Sequence, residues 1–402
     1  MIVKRDILGN IQPYLTSPEA IVVTGMRRVG KTTLLRDIFN SIDSQNKIFL
    51  DLENPLHQKY FEDDNFERVK RTFEFLKINF KPALPGLPAG QAGRERAYIF
   101  LDEIQLAPRI PQVVKYFIDH YQAKFFLTGS ASLYLKNLFS ESLSGRKYVF
   151  ELFPLSFKEF LKFKQVDVAL PDAHSDITEA MFETLSGHYR EYMEFGGFPQ
   201  VVLKATPDEK KQTLQDIFTS YFQLEVERLS DFRKTHKLRD LILLLLSRIG
   251  TRLDVNQLAN ELGISRITVG EYLAFLEGTY FMHTVRPMTK NAQVEIKKAP
   301  KIYVCDSGMA NAIAKVTEDM LFEQAIFQNL RFKGGLNYYR KKTGVEITFV
   351  VDKKHGYDAA ISPSTSGLTL LARVAAELGL DSWQMACLQY SENDHTAYSF
   401  EF

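Results

Sequence analysis

The apolar positions of this chain fall into two regimes. As far as Leu152, short and nearly continuous apolar runs alternate with stretches of helical spacing. AIVVT at Ala20–Thr24, KIFLDL at Lys47–Leu52, YIFLD at Tyr98–Asp102, KFFLT at Lys124–Thr128 and the run Lys147–Leu152 read as five strands. A helix is predicted over Lys31–Phe39. Strands with apolar residues at odd and even positions alike are covered on both faces, which predicts an α/β fold with a parallel sheet. Phe80–Arg96 interrupts the alternation: Pro and Gly punctuate it and no apolar period survives. It reads as a surface insertion, with a partner-binding loop as the alternative.

From Phe157 to Ile249 aromatic and leucine positions recur at helical spacing, around a turn at Phe195–Val202. Asp254–Phe281 reads as a helix-turn-helix, with Gly263, Ile264 and Ser265 as the turn and Ser265 as the N-cap of the second helix. That helix is expected to expose Arg266, Thr268 and Glu271. After Pro300 short strands return at KIYVCD and VEITFVVD, followed by a helix at Leu368–Leu378 and a strand at Gln384–Tyr390. The expected division is an α/β unit over 1–156 with its insertion at 80–96, a helical segment over 157–249, the helix-turn-helix over 250–300 and a small α/β unit over 301–402.

Composition narrows the class. With 402 residues, 45% apolar and 25% charged, the chain has the make-up of a globular protein of two to four domains. Fifty basic residues against 49 acidic ones give a net charge of +1, which excludes a wholesale polyanion binder and leaves room for a local basic patch. Cys305 and Cys387 are too few for a disulfide framework, and the eight histidines have no zinc-site spacing. The N-terminal MIVKRDILGNIQPYL does not read as a signal peptide, and the longest apolar run, Leu241–Leu246, is far too short to span a bilayer. A cytoplasmic protein without a membrane partner is expected.

The strongest chemical signal is TGMRRVGKTT. Gly25, Gly30, Lys31 and Thr32 match the P-loop spacing between a predicted strand and a predicted helix. Glycines let the backbone curl so that several N–H groups face one anion, and the helix N-terminus adds partial positive charge. Lys31 reaches the β/γ-phosphates and the Thr32 hydroxyl holds Mg²⁺. Met26, Arg27, Arg28 and Val29 form the rest of the loop, with Thr33 beside Thr32; Arg27 and Arg28 either add charge beside the phosphates or point away. The partner signal is YIFLDEIQ. Its strand ends in Asp102, a Mg²⁺ ligand, and Glu103, a general base for water, at the sheet edge where α/β folds bind ligands. A carboxylate directly after Asp102 points to water as the nucleophile, and hence to an ATPase. In KFFLTGSAS, Thr128 with Ser130 close behind either orients water and senses the γ-phosphate or forms an ordinary turn and helix cap. Arg146, in SLSGR, is either an arginine finger, in cis or from a neighbouring subunit, or a solvated surface residue.

With these signals the chain resembles a prokaryotic family of AAA+-type P-loop ATPases that carry a C-terminal winged helix and a restriction-endonuclease-like domain. Further landmarks of the resemblance are FELFPLSFKEF, FGGFPQVV, KIYVCDSGM and YYRKKTGVEITFVVD. It implies ATP binding with Mg²⁺, ATP hydrolysis, a helical lid over 157–249 and a winged helix over 250–300. For the endonuclease-like domain it implies a carboxylate cluster with a lysine. Glu323 and Glu346 match two positions, Thr348 stands where an Asp is needed, and the E-x-K position falls near Ala360, Ile361 and Ser362. A degenerate, non-cleaving domain is expected, with Lys341, Lys342, Lys353 and Lys354 as phosphate contacts or a solvated face. The expected function is an ATP-dependent molecular switch acting on an unidentified protein partner or on DNA through the winged helix, with homo-oligomers if Arg146 acts in trans. The alternatives are a DNA-binding regulator that uses ATP for assembly and, disfavoured, a metal-dependent nuclease.

Overall fold

The computed structural model describes residues 3–82, 96–130, 143, 145–168, 170, 174–227, 235–289, 295, 298–314 and 316–402. Most of the expected insertion and parts of FFLTGSAS and SLSGR lie outside them. The chain forms two compact units, Met1–Phe153 with Gly278–Tyr280, and Pro154–Glu277 with Phe281–Phe402. Among the described residues no helix is long and apolar enough to cross a membrane.

The first unit is built on five strands: β1 (Ala20–Thr24), β2 (Lys47–Asp51), β3 (Ala97–Asp102), β4 (Ala123–Gly129) and β5 (Lys147–Glu151). All pair in parallel, in the order β2-β3-β4-β1-β5. The two sheet faces explain the unbroken apolar runs. Ile99, Leu101, Phe125 and Leu127 join a core with Val113, Val114 and Phe117 of helix α3 (Ile110–His120) and Val69 and Phe73 of α2 (Phe66–Phe75). The intervening Phe100 and Phe126 stack with ring centroids 4.3 Å apart on the opposite face, where Phe39 of α1 (Lys31–Ser41) packs edge-on against Phe100. Placing β4 between β1 and β3 brings three strand ends to one edge: Thr24, Thr128 and Asp102.

The second unit opens with helices α4 (Phe157–Phe163), α5 (Glu179–Phe195), α6 (Pro207–Tyr221) and α7 (Thr235–Leu246). Helices α8 (Val255–Leu262) and α9 (Arg266–Gly278) follow, joined through Gly263 in a left-handed conformation, and Ser265 Oγ accepts from Thr268 N–H at 3.1 Å as a cap. Arg266 and Glu271 are exposed; Thr268, expected to be exposed, is half-buried beside that cap. A seven-stranded mixed sheet then runs in the order β12-β11-β10-β9-β8-β6-β7. It contains β6 (Met282–Pro287), β7 (Lys301–Val304), β8 (Leu336–Arg340), β9 (Glu346–Val351), β10 (His355–Ala359), β11 (Ser382–Cys387) and β12 (Thr396–Tyr398), with helices α10 (Ser307–Ala314), α11 (Glu318–Leu330) and α12 (Thr365–Leu378) between them. The β6–β7 hairpin that follows α9 is thus continuous with the strands after residue 335.

The landmark stretches of the sequence meet in a buried knot of this unit. Asp306 accepts from the N–H groups of Gly197 at 2.7 Å and Met309 at 3.2 Å. Gly197 O accepts from Leu155 N–H at 2.7 Å, and Asn329 Oδ1 accepts from Phe157 N–H at 2.8 Å. A Cβ on Gly308 would lie 2.1 Å from the Phe195 backbone. FELFPLSFKEF, FGGFPQVV and KIYVCDSGM therefore describe one packing interaction.

Candidate nucleotide and magnesium site

The loop between β1 and α1 is shaped by its glycines. A Cβ on Gly25 would lie 2.1 Å from the Leu152 carbonyl oxygen, and Leu152 N–H donates to Thr24 O at 2.7 Å, so the chain passes too close for any side chain. Gly30 caps α1 at φ 100°, a left-handed conformation that L side chains rarely adopt. Lys31 is buried at the first helical position, and its Nζ donates to Gly25 O at 2.9 Å and Met26 O at 3.0 Å. These neutral carbonyls are weaker partners for an ammonium than a phosphate oxygen would be. The N-terminus of α1 favours the same anion.

Asp102 ends β3 and Glu103 follows it. Burial raises the Asp102 carboxyl above the usual range, while hydrogen bonds from Thr128 and Thr32 pull the other way. The Thr128 hydroxyl donates to Asp102 Oδ1 and accepts from Glu103 N–H at 3.2 Å. A carboxylate joined to a hydroxyl in the first turn of α1 is the hard oxygen donor set that Mg²⁺ takes, so Thr32 and Asp102 fit the ion. Glu103 itself has φ 58°, a left-handed conformation that costs a non-glycine residue about 1 kcal/mol or more. Its carboxylate accepts from Gln105 Nε2 and lies 3.9 Å from Arg27 Nη2, and Arg27 is also 3.7 Å from Glu53. Arg27 thus lies beside the acidic residues. The glycine-shaped loop with Lys31, the pair Thr32 and Asp102, and the Glu103 carboxylate thus lie together at one edge of the sheet.

Residues 17–161 match the family model of the AAA domain. Residues 186–320 match a second family, described as a domain of unknown function, DUF8612. An uncharacterized protein of Haemophilus influenzae is 26% identical over 361 residues, which cover 88% of this chain and 84% of that one. An uncharacterized protein of Methanocaldococcus jannaschii is 26% identical over 363 residues, covering 87% and 75%. Among solved structures, the Aeropyrum pernix ORC2 protein in its ADP form is 13% identical, with 71% of this chain and 87% of that one covered, at a TM-score of 0.34. That score is too low to define a shared architecture over the matched length. The match over residues 17–161 makes the first unit similar to the AAA domain.

Within the first unit the structure brings together Gly25–Thr32, Asp102, Glu103 and Thr128. Arg146 stands apart. It immediately precedes Lys147, which pairs with Ala20 at the start of β1, whereas the phosphate loop follows the other end of that strand. Five residues at about 3.3 Å each separate the two ends by roughly 16 Å. Arg146 Nε is instead 2.6 Å from Asp119 Oδ1. A cis arginine finger at this position is therefore corrected: the side chain starts from the wrong edge of the sheet. Arg5 and Gln105 were not anticipated. Arg5 is buried and donates to Val29 O and Phe153 O, both at 2.8 Å, tying the phosphate loop to the residues after β5. Neither residue has a local sequence signal, because each acts through partners defined only by the fold.

The carboxylates of the second unit have a different surrounding from the one the resemblance implies. Register pairs Tyr357 with Phe349, which sets Asp358 opposite Thr348, and the Thr348 hydroxyl donates to Asp358 Oδ1 at 2.6 Å. The third strand of that meander therefore does carry a carboxylate, two residues before the position expected at Ala360; the lysine is still missing there. Another lysine fills the cluster. Lys301 Nζ is 3.0 Å from Glu323 Oε1 and 2.5 Å from Glu346 Oε1, and Arg340 pairs with Glu346 at 2.8 Å. Burial works against charge on Lys301, but the two carboxylates outweigh it and hold the ammonium above the ordinary lysine value. With an internal ammonium between Glu323 and Glu346, these residues do not fit a catalytic metal. Of the four exposed-face lysines, Lys341 pairs with Glu377 and Lys353 with Glu295.

Proposed function

We propose that the protein is a Mg²⁺-dependent ATPase that works as a molecular switch. The observation that carries this reading is the convergence of Lys31, Thr32, Asp102 and Glu103 on one edge of a parallel sheet. Lys31 and the loop N–H groups bind the β- and γ-phosphates. Thr32 and Asp102 would hold Mg²⁺, which would supply charge neutralisation. Glu103 takes a proton from water as the oxygen bonds to the γ-phosphorus and the bond from that phosphorus to the bridging oxygen of ADP breaks. Thr128 fixes both acidic residues, through Asp102 Oδ1 and Glu103 N–H, which supports a positioning role more than direct phosphate sensing. With its guanidinium remote from the loop of its own chain, Arg146 is left with a contribution to a neighbouring subunit or the role of a solvated surface residue.

We further propose that the second unit passes the nucleotide state to a protein partner and does not cleave DNA. The Lys301 ammonium between Glu323 and Glu346 supports the absence of metal-dependent cleavage. On α9, Arg266 is the one basic residue, next to the exposed Ile267, and a DNA reader usually offers more cationic contacts than that. DNA remains the second reading, on the exposed Arg266. Steady-state ATP hydrolysis by wild type, Lys31→Ala and Glu103→Gln, each with and without duplex DNA, tests the set. Lys31→Ala is expected to lose nucleotide binding, and Glu103→Gln to bind ATP with turnover reduced by about 10²–10⁴-fold. Wild-type turnover by Glu103→Gln would remove the assignment of the base. Stimulation by DNA would favour the second reading.

A further inference from the structure

The side chain of Gln105 has a buried amide that the scheme above does not use. It lies in the short turn Ile104–Leu106, two residues after Glu103, and is 4% exposed. Its orientation follows from its partners. A carboxylate only accepts, so the group facing Glu103 Oε2 is the Nε2 amide, and the same nitrogen lies 3.2 Å from Ser130 Oγ. The opposite end, Oε1, is buried and has no hydrogen-bond partner among the described residues. Buried acceptors of this kind are rare in folded proteins and mark a place where a donor is missing. This acceptor belongs to the side chain that grips the proposed base, at the strand-end edge where the phosphate loop lies.

A water that attacks phosphorus has two O–H bonds. One gives its proton to the base. The other needs an acceptor, or the oxygen lone pair is free to rotate away from the phosphorus. We propose that Gln105 is a second catalytic group: its Oε1 accepts a hydrogen bond from the attacking water while Glu103 takes that water's other proton. The inference rests on the ATPase reading and deepens it. Gln105 neither gains nor loses a proton, so the reaction is unchanged: water and ATP give ADP and phosphate. Its Nε2, anchored on Glu103 and Ser130, keeps the amide from turning and holds the two water-binding groups side by side.

The test uses the full chain with Gln105→Met, which keeps the volume and removes the amide, and Gln105→Ala, beside wild type and Glu103→Gln. Both Gln105 variants are expected to lose about 10²-fold in kcat. Their dissociation constants for ADP and for a non-hydrolysable ATP analogue stay within about threefold of wild type, while that for Mg–ADP–aluminium fluoride rises at least about tenfold. A packing role moves all three ligands together or is restored by methionine. Gln105→Met with kcat within about threefold of wild type, while Glu103→Gln is inactive, overturns this inference alone. Loss of ADP binding together with kcat overturns it too, by showing a structural role. A wild type without turnover, with or without DNA, removes the ATPase reading and this inference with it.

Discussion

Asp306 shows how much one buried side chain sets the behaviour of its surroundings. It has no exposure to solvent, and burial pushes its carboxyl up to about 6, against the N–H groups of Gly197 and Met309 that pull it down. The ordinary value is 3.8. A raised folded value means that Asp306 contributes most to stability below pH 3.8, and that this contribution is lost as pH rises through about 6. The whole window corresponds to about 3 kcal/mol at 1.36 kcal/mol per unit. Asp306→Asn has no such titration, so the unfolding free energy of the variant relative to wild type is expected to rise by about that much between pH 4 and 7. Urea unfolding at several pH values measures it, and a difference independent of pH would show that the N–H groups of Gly197 and Met309, not burial, govern the group. Residues of this kind were the least legible in the sequence. Gly25, Lys31, Asp102 and Glu103 announced themselves because the chemistry is written in local spacing. Arg5, Gln105 and Asp358 did not, since each takes its meaning from a partner brought close by the fold.

Strands differed in legibility for a related reason. All five strands of the first sheet were visible; the unbroken apolar runs of β1, β3 and β4 are those of strands buried on both faces, whereas the edge strand β5 is half exposed. In the second sheet, the sequence HGYDA of β10 and LNYYR of β8 mix polar and apolar residues and carry no such signal. Lys301 at the start of β7 was equally unreadable: a lysine heading the run KIYV looked like a strand boundary, whereas it is buried between Glu323 and Glu346. Removing one member of a buried ion cluster costs more than removing all of it, because the partners stay desolvated. Lys301→Met is therefore expected to destabilise the second unit by about 3–5 kcal/mol, and the triple variant with Glu323→Gln and Glu346→Gln to recover most of that loss. Denaturant unfolding of the three proteins checks this. A Lys301→Met protein within about 1 kcal/mol of wild type would mean that Arg340 beside Glu346, and the Tyr303 hydroxyl that donates to Glu323 Oε1 at 2.5 Å, already satisfy the pair, and would reopen the cluster to a metal.

For the chain as one machine, the demand on the structure is that nucleotide chemistry in the first unit be felt in the second. Binding alone does not meet it. Mg–ATP at 100 times its dissociation constant stabilises whatever folds with the site by about 2.7 kcal/mol, which slows amides that exchange only by unfolding roughly 100-fold. The amides of Val22 and Leu127, in the middle of the first sheet, are expected to show that slowing with ADP and ATP alike. A switch requires something further: a difference between the ADP and ATP states outside the nucleotide unit, since a ligand shifts an equilibrium only by its unequal affinity for the two conformations. Glu103→Gln supplies the ATP state because it is expected to bind without turning over. Hydrogen exchange of that variant with ATP, against the same variant with ADP, is then expected to differ in the first turns of helix α9, where Arg266 and Ile267 are exposed, and at its cap at Ser265, the surface proposed to meet the partner. Identical exchange throughout Pro154–Glu277 and Phe281–Phe402 in the two states would leave the first unit a self-contained ATPase. The second unit would then be a tether that hydrolysis does not operate.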